Sequence, residues 1–305
     1  MPLSRFTGRS RPLLPPRRRR LAFGIAVVLL VVDWFLPPLP TPRFLERWPD
    51  AGTGFTPWKP LLAGVDYARA NFSSPRPMKC HVVRIDLTDT NVSLLARPPG
   101  PAAPFETDGE YVSTFVRSQA VQVAINTTPF APDRVVPGRP VNLQGLAVSQ
   151  GQRFSEAAGN LDSLVITRDN QARLVSAGGS TADAWNGAGG FLITLRHGQN
   201  VAEKLQPEPA TVVGLSADGH RMFWLVVDGR QPGYSEGATP TETAEILLSL
   251  GATEALNMDG GGSSTLACAG GWKGMHVLNR PYHWVWSGLE RPVGAALGVR
   301  SQPLR

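Results

Sequence analysis

The chain has 305 residues, 42% of them hydrophobic and 18% charged, a balance compatible with one large folded domain or two small ones. The net charge of +6 is carried by one end: residues 1–20 hold seven arginines and no acid, so the remainder sums to −1. That near-neutral body offers no basic surface of the kind that nucleic acid requires.

Residues 1–20 read as a basic cytoplasmic tail. Leu21–Leu36 follows, an apolar run interrupted by Asp33 and shorter than the ~20 residues that span a bilayer. A basic segment ahead of an apolar one has the pattern of a secretory signal or signal-anchor. Pro37, Pro38 and Pro40 follow in place of a small-residue cleavage site. The expectation is an uncleaved membrane anchor over 21–36, with the arginines inside and the domain periplasmic or at the cell surface. Residues 37–77 contain nine prolines and read as an irregular spacer.

The folded domain is expected over 78–301. Lys79–Leu87 has the β-branched content of a strand, and Val121–Ile125, Leu143–Val148, Leu161–Thr167 and Gly190–Leu195 are further strand candidates. Thr211–Ser216 and Met222–Val227 flank Asp218-Gly219 and predict a hairpin. A helix is predicted over Pro240–Leu250: Thr239 stands at the N-cap, Pro240 in the first turn, and Glu242 completes a capping box. Ala244, Leu247 and Leu248 share one face, and Gly251 stops the helix. Ala255–Met258 then leads into a glycine loop. Many strands and few helices predict an α+β fold, a β-rich single domain with a few helices packed on the sheet. Cys80 and Cys268, the only cysteines, are either a disulfide or two buried thiols.

The chemistry concentrates in Asn257-Met258-Asp259-Gly260-Gly261-Gly262-Ser263-Ser264-Thr265. Three glycines after a carboxylate permit successive N–H groups to converge, so an anion nest beside Asp259 is expected. A second segment ending an apolar run supplies Asp228, Arg230 and Ser235, and a third supplies Asn126. Asp228 and Asp259 form a candidate catalytic pair, since glycoside hydrolysis commonly uses two carboxyls. Arg230 presents a planar fork suited to phosphate. Asn126 and Asn257 are candidates to orient hydroxyls or water, and Ser263, Ser264 and Thr265 to donate to an anion. Competing readings leave Asp228 as a turn aspartate and Arg230 as a surface arginine. No motif requires a cofactor. The P-loop lysine is missing, and His81, His197, His220, His276 and His283 form no close ligand pair for zinc. The oxygens of Asp228, Asp259 and Asn257 are of the type that holds a hard divalent cation.

Val227 through Gly237, the helix that follows, and Leu256 through Thr265 together resemble the phosphodiester glycosidase family, over roughly residues 78–300. Lys79–Leu87, Gly187–Gly198 and Asn279-Arg280-Pro281 contribute to the likeness. The resemblance implies a glycosidase-type hydrolase that cleaves the C–O bond of a sugar-1-phosphodiester, with a phosphorylated sugar or glycan as partner. For bacterial members it implies a role in exopolysaccharide or envelope metabolism. Two rival readings are a non-catalytic glycan-binding protein and a metal-dependent phosphodiesterase. The chain departs from the family at Asn126-Thr127-Thr128-Pro129-Phe130, where glycines and a second phenylalanine are usual. It departs again at Ala210, where an arginine is usual.

Overall fold

The computed structural model describes residues 48–52, 54–100, 105–270, 274–283 and 286–304. The basic tail, the anchor 21–36 and the first part of the spacer lie outside the described residues. Among the described residues no helix is long and apolar enough to cross a membrane.

The scaffold is an eight-stranded antiparallel sheet. Its order is Lys59–Leu62, Val65–Phe72, Met78–Asp86, Arg221–Val227, Ala210–Ser216, Ala252–Asn257, Ile193–Arg196 and Gln199–Asn200. The central strand Arg221–Val227 reads as an unbroken apolar run because both of its faces are covered. Met222, Trp224 and Val226 enter one core cluster and Phe223, Leu225 and Val227 the other, the period-two alternation of a pleated strand. The hairpin joins Ala210–Ser216 to Arg221–Val227 from Ala210↔Val227 to Leu215↔Met222, with Gly219 at φ 70° in the turn.

One face of this sheet carries the Pro240–Ser249 helix, whose Ala244 and Leu247 pack among Val82, Val212 and Leu225. Its N-terminus is closed reciprocally. The Glu242 N–H donates to Thr239 Oγ1 at 3.2 Å, and the Thr239 N–H donates to Glu242 Oε2 at 2.8 Å. The other face meets two five-stranded sheets. One of them, Met275–Val277, Leu266–Ala269, Val123–Asn126, Ala296–Arg300 and Ser93–Ala96, buries Val123, Ile125, Leu266 and Leu297 against Trp224 and Val213. A second helix, Val112–Ser118, covers the back of that sheet through Phe115 and Val116. The expected β-rich domain with helices on the sheet is therefore the one formed, and its described residues lie in one compact unit, Pro42–Arg305.

One expectation is corrected, and one open alternative is decided. Residues 37–77 are not wholly a spacer, because Val65–Phe72 pairs with Met78–Asp86 along its full length, from Val65↔Ile85 to Phe72↔Met78. The prolines of that region fall outside this strand, and Val65 and Tyr67 face one core while Ala68 and Ala70 face the other. The cysteines are both free and buried. Cys80 packs with the helix-side cluster and Cys268 with the cluster on the opposite face, so the large sheet separates them. Reductant should then leave the melting temperature unchanged, and the unreduced protein should titrate two thiols on denaturation. A titre of zero that reductant restores to two would re-establish the disulfide.

Candidate active site

Ala252–Asn257 pairs with Ala210–Ser216 on one side and Ile193–Arg196 on the other, so the chain leaves the large sheet at Asn257 already held by two neighbours. Asp259 is the second residue beyond that edge. Its N–H donates to Thr127 O at 2.8 Å, and its carbonyl accepts from Asn126 Nδ2 at 2.6 Å. Asn126 is fully buried at the end of Val123–Asn126, and its Oδ1 accepts from Thr211 Oγ1 (2.8 Å) and from the Thr265 N–H (3.1 Å). One carboxamide thus binds both ends of the glycine loop and a strand of the large sheet. Asn126 positions the loop and does not line the cleft.

The loop is not the anion nest that its glycines predict. The Gly261 N–H donates to Pro209 O at 2.8 Å, that of Ser263 to Gly260 O at 3.1 Å, and that of Ser264 to Gly261 O at 3.3 Å. The glycines serve close approach instead. A Cβ on Gly260 would lie 2.9 Å from Pro209 O, one on Gly262 3.0 Å from Tyr282 O, and one on Gly261 3.1 Å from Arg230 Nη2. Gly261 also adopts φ 57°, which side-chain-bearing residues rarely take.

The Asp259 side chain is about one-seventh exposed, and its Oδ2 accepts from Ser263 Oγ at 2.5 Å and from Arg291 Nη2 at 3.3 Å. Arg291 Nη2 also donates to Ser263 Oγ, closing a three-membered set. Burial pushes the Asp259 carboxyl above the usual aspartate range. Arg291, the Ser263 hydroxyl and the Gly260 N–H pull the other way without cancelling it.

Arg230 reaches the same loop from the end of the Arg221–Val227 strand. Its backbone is left-handed, at φ 58°, a conformation that costs a non-glycine residue about 1 kcal/mol or more. That turn brings its guanidinium against Gly261, while Nε donates to Glu208 Oε2 at 2.6 Å. Asp259, Arg230, Arg291 and Asn257 line one cleft of about 1190 Å³, together with Gly260, Gly261 and Gly262.

Asp228 is absent from that cleft. It is 1% exposed, and its Oδ1 accepts from the Arg280 N–H (2.9 Å) and Asn279 Nδ2 (3.1 Å). Its Oδ2 faces Tyr234 Oη at 3.4 Å and His81 Nε2 at 3.7 Å, and His81 Nδ1 in turn bonds Tyr67 Oη at 2.8 Å. Burial raises both tyrosines well above the ordinary phenol range, so they remain protonated donors. The expected carboxylate pair is therefore not formed in one cleft. Asp228 is a buried tie between the sheet and the Asn279-Arg280 segment. Ser235, also fully buried, accepts from the Lys79 N–H and donates to Asp228 O, a structural role. Ser264 and Thr265 are buried behind the loop, and only Ser263 of the three hydroxyls touches Asp259. Among the described residues no three His, Cys, Asp or Glu side chains form a metal-ligand cluster.

Arg291 and Glu208 are the site residues that sequence reasoning missed. Arg291 lies in Glu290-Arg291-Pro292, which carries no motif, and only the fold brings it to Asp259.

The site is thus an antiparallel β-rich scaffold presenting the Asp259 carboxylate, paired with Arg291, in a cleft that Arg230 and Glu208 also line. A family model described as phosphodiester glycosidase matches residues 119–300. That is more than half of the chain, and the chain belongs to the phosphodiester glycosidase family. It is accordingly a glycosidase-type hydrolase of phosphodiester-linked sugars. Comparison with curated proteins gives no match. Among solved structures, one similar chain is the zebrafish N-acetylglucosamine-1-phosphodiester alpha-N-acetylglucosaminidase catalytic domain, auto-inhibited by its pro-peptide. It is 18% identical, with a TM-score of 0.60 covering 87% of this chain and 95% of that one. A protein of Burkholderia pseudomallei is 16% identical, with a TM-score of 0.52 over 73% of this chain and 74% of that one. At these identities the likeness shows the fold alone.

The Asn126 clamp yields a stability test. Asn126→Ala leaves Asp259 O, the Thr211 hydroxyl and the Thr265 N–H without their partner, and a buried orphaned group costs about 1–3 kcal/mol. Urea unfolding should show a loss of about 3 kcal/mol or more. A loss below about 0.5 kcal/mol, the level of an ordinary surface change, would remove Asn126 from this role.

Proposed function

We propose that the chain hydrolyses a sugar-1-phosphodiester at the anomeric C–O bond, with Asp259 as the reacting carboxylate and Arg230 and Arg291 holding the phosphate. The observation that carries this reading is the Asp259 carboxylate set 3.3 Å from Arg291 in the cleft that Arg230 also lines. A water attacks the anomeric carbon and gives its proton to Asp259. The bond from that carbon to the phosphate oxygen breaks, and the electron pair leaves with the phosphate monoester. Phosphate monoesters have a second pKa near about 6, so the leaving oxygen needs little protonation. That chemistry does not call on Asp228, which is buried outside the cleft. The two guanidinium groups stabilise charge as it builds on the departing phosphate. Asn257, at the cleft wall, orients a sugar hydroxyl or the water. The arginine-rich leader and the apolar run 21–36 support a membrane-anchored domain outside the cytoplasm, acting in envelope or exopolysaccharide glycan metabolism.

Asp259→Asn should lower kcat/KM on an N-acetylglucosamine-1-phosphodiester by about 10³-fold or more, and Arg291→Gln by about 10²–10³-fold. Because burial raises the Asp259 pKa, the wild-type rate should fall on acidification along a limb above the ordinary aspartate range, with full activity on its alkaline side. Turnover in heavy-oxygen water should label the sugar. Label on phosphate would mean P–O cleavage, the signature of the phosphodiesterase reading.

A further inference from the structure

Beyond the loop, the cleft changes character. Among the described residues ten large hydrophobic side chains are exposed, and four of them, Phe191, Leu192, Val201 and Leu205, line this one cleft. Their exposures run from 37% for Phe191 to 56% for Leu205. Scattered exposed apolar residues need no explanation, whereas a convergent set marks a binding surface.

Two of the four are fastened to the strand that ends in the reaction loop, and a third to the neighbouring strand. The Phe191 N–H donates to Asn257 O at 2.7 Å, and the Asn257 N–H donates to Leu192 O at 3.1 Å, so both residues flank the strand that delivers Asp259. The Val201 N–H donates to Thr194 O at 3.0 Å. The 201–209 segment then runs to Pro209, whose carbonyl holds the Gly261 N–H. The wall is therefore continuous with the arginine end. The cleft's volume of about 1190 Å³ also exceeds the ~300–1,000 Å³ of an ordinary small-molecule site. There is room past a sugar and a phosphate.

We infer that this wall is a subsite for the leaving group, and that the phosphate is esterified to an aliphatic alcohol rather than to a second sugar. The inference rests on the reading of Arg230 and Arg291 as the phosphate grip. Gln144, Asn160, Thr194 and Gln206 also line the cleft, but Leu192, Val201 and Leu205 add exposed branched aliphatic surface that gives a sugar hydroxyl no partner and gives an alkyl chain a contact. Asp133 and Glu203 line the same cleft, and their charge disfavours a second anionic group on the aglycone. An alkyl chain meets both conditions: it gains by leaving water and carries no charge.

The test is calorimetric titration of the full chain with dimethyl, methyl butyl and methyl hexyl phosphate, chains short enough to stay in water. Each added methylene should tighten binding about three- to fourfold, the transfer gain of a buried CH₂. Phe191→Ser with Leu205→Ser should reduce that factor to near one and leave dimethyl phosphate affinity unchanged. Val136→Ser, at a residue 58% exposed outside the cleft, should keep the wild-type factor. A wild-type factor near one, or a factor that survives the double substitution, overturns the subsite. The phosphate grip is judged separately: if dimethyl phosphate binding ignores Arg230→Gln combined with Arg291→Gln, that reading fails, and the wall stands or falls on its methylene factor alone.

Discussion

The site depends on the carboxamide of Asn126. It lies at the junction of the large sheet and the five-stranded sheet packed beneath it, and it joins Thr211 of the first to the Asp259–Thr265 loop. The Asp259 N–H is held one residue further on, by Thr127 O. A loop with three consecutive glycines has much backbone entropy to lose on ordering. Fastening it at Asp259 and Thr265 limits its excursions to the few residues between, so one carboxylate direction persists. Those residues must then pass within contact distance of Pro209 O, Tyr282 O and the Arg230 guanidinium, which is where Cβ atoms would collide. The glycine run is a consequence of the clamp and its crowded surroundings. An anion pocket is not needed to explain it.

Two aspartates at the ends of apolar strands receive opposite treatment. Asp259 keeps some access to the cleft, carries one guanidinium and one hydroxyl on the same oxygen, and has its pKa raised by burial. Asp228 is enclosed by the Arg280 N–H, Asn279, Tyr234 and His81. Reactivity needs an oxygen that substrate or water can reach, and only Asp259 offers one. The two residues look alike in sequence because each precedes a glycine after an apolar run.

What was legible in the sequence was local. The capping box of Thr239 and Glu242, the Asp218-Gly219 hairpin and the Lys79–Leu87 strand each depend on residues a few positions apart, and all form, whereas the expected strand Leu143–Val148 is two strands, Pro140–Leu143 and Ala147–Ser149, and that of Gly190–Leu195 begins only at Ile193. The Asp259 loop was visible because three glycines after an acid are rare as a plain turn. Arg291 was invisible because it joins Asp259 across 32 positions with no motif of its own. Val65–Phe72 was obscured by prolines on both sides, although none lies within the strand. The cysteines fit a bridge by count alone, and only the sheet between them separates their two cores.

The departure at Asn126-Thr127-Thr128-Pro129-Phe130 has a physical reading in this frame. The family's glycines at this place are replaced, yet both tasks of the segment are met: Asn126 clamps the loop, and Thr127 O receives the Asp259 N–H. Thr128 adds a hydroxyl that donates to Leu146 O at 3.2 Å and accepts from the Gly189 N–H at 3.1 Å, tying a third sheet to the same point. Phe130 faces the cleft, with the Arg291 guanidinium carbon 5.1 Å from its ring centre. An aromatic face there stabilises the cation that also pairs with Asp259. The substituted segment therefore keeps the loop's anchor and buttresses the arginine. Its constraint on substrate falls on the shape of the cleft, while the acid remains where the clamp puts it.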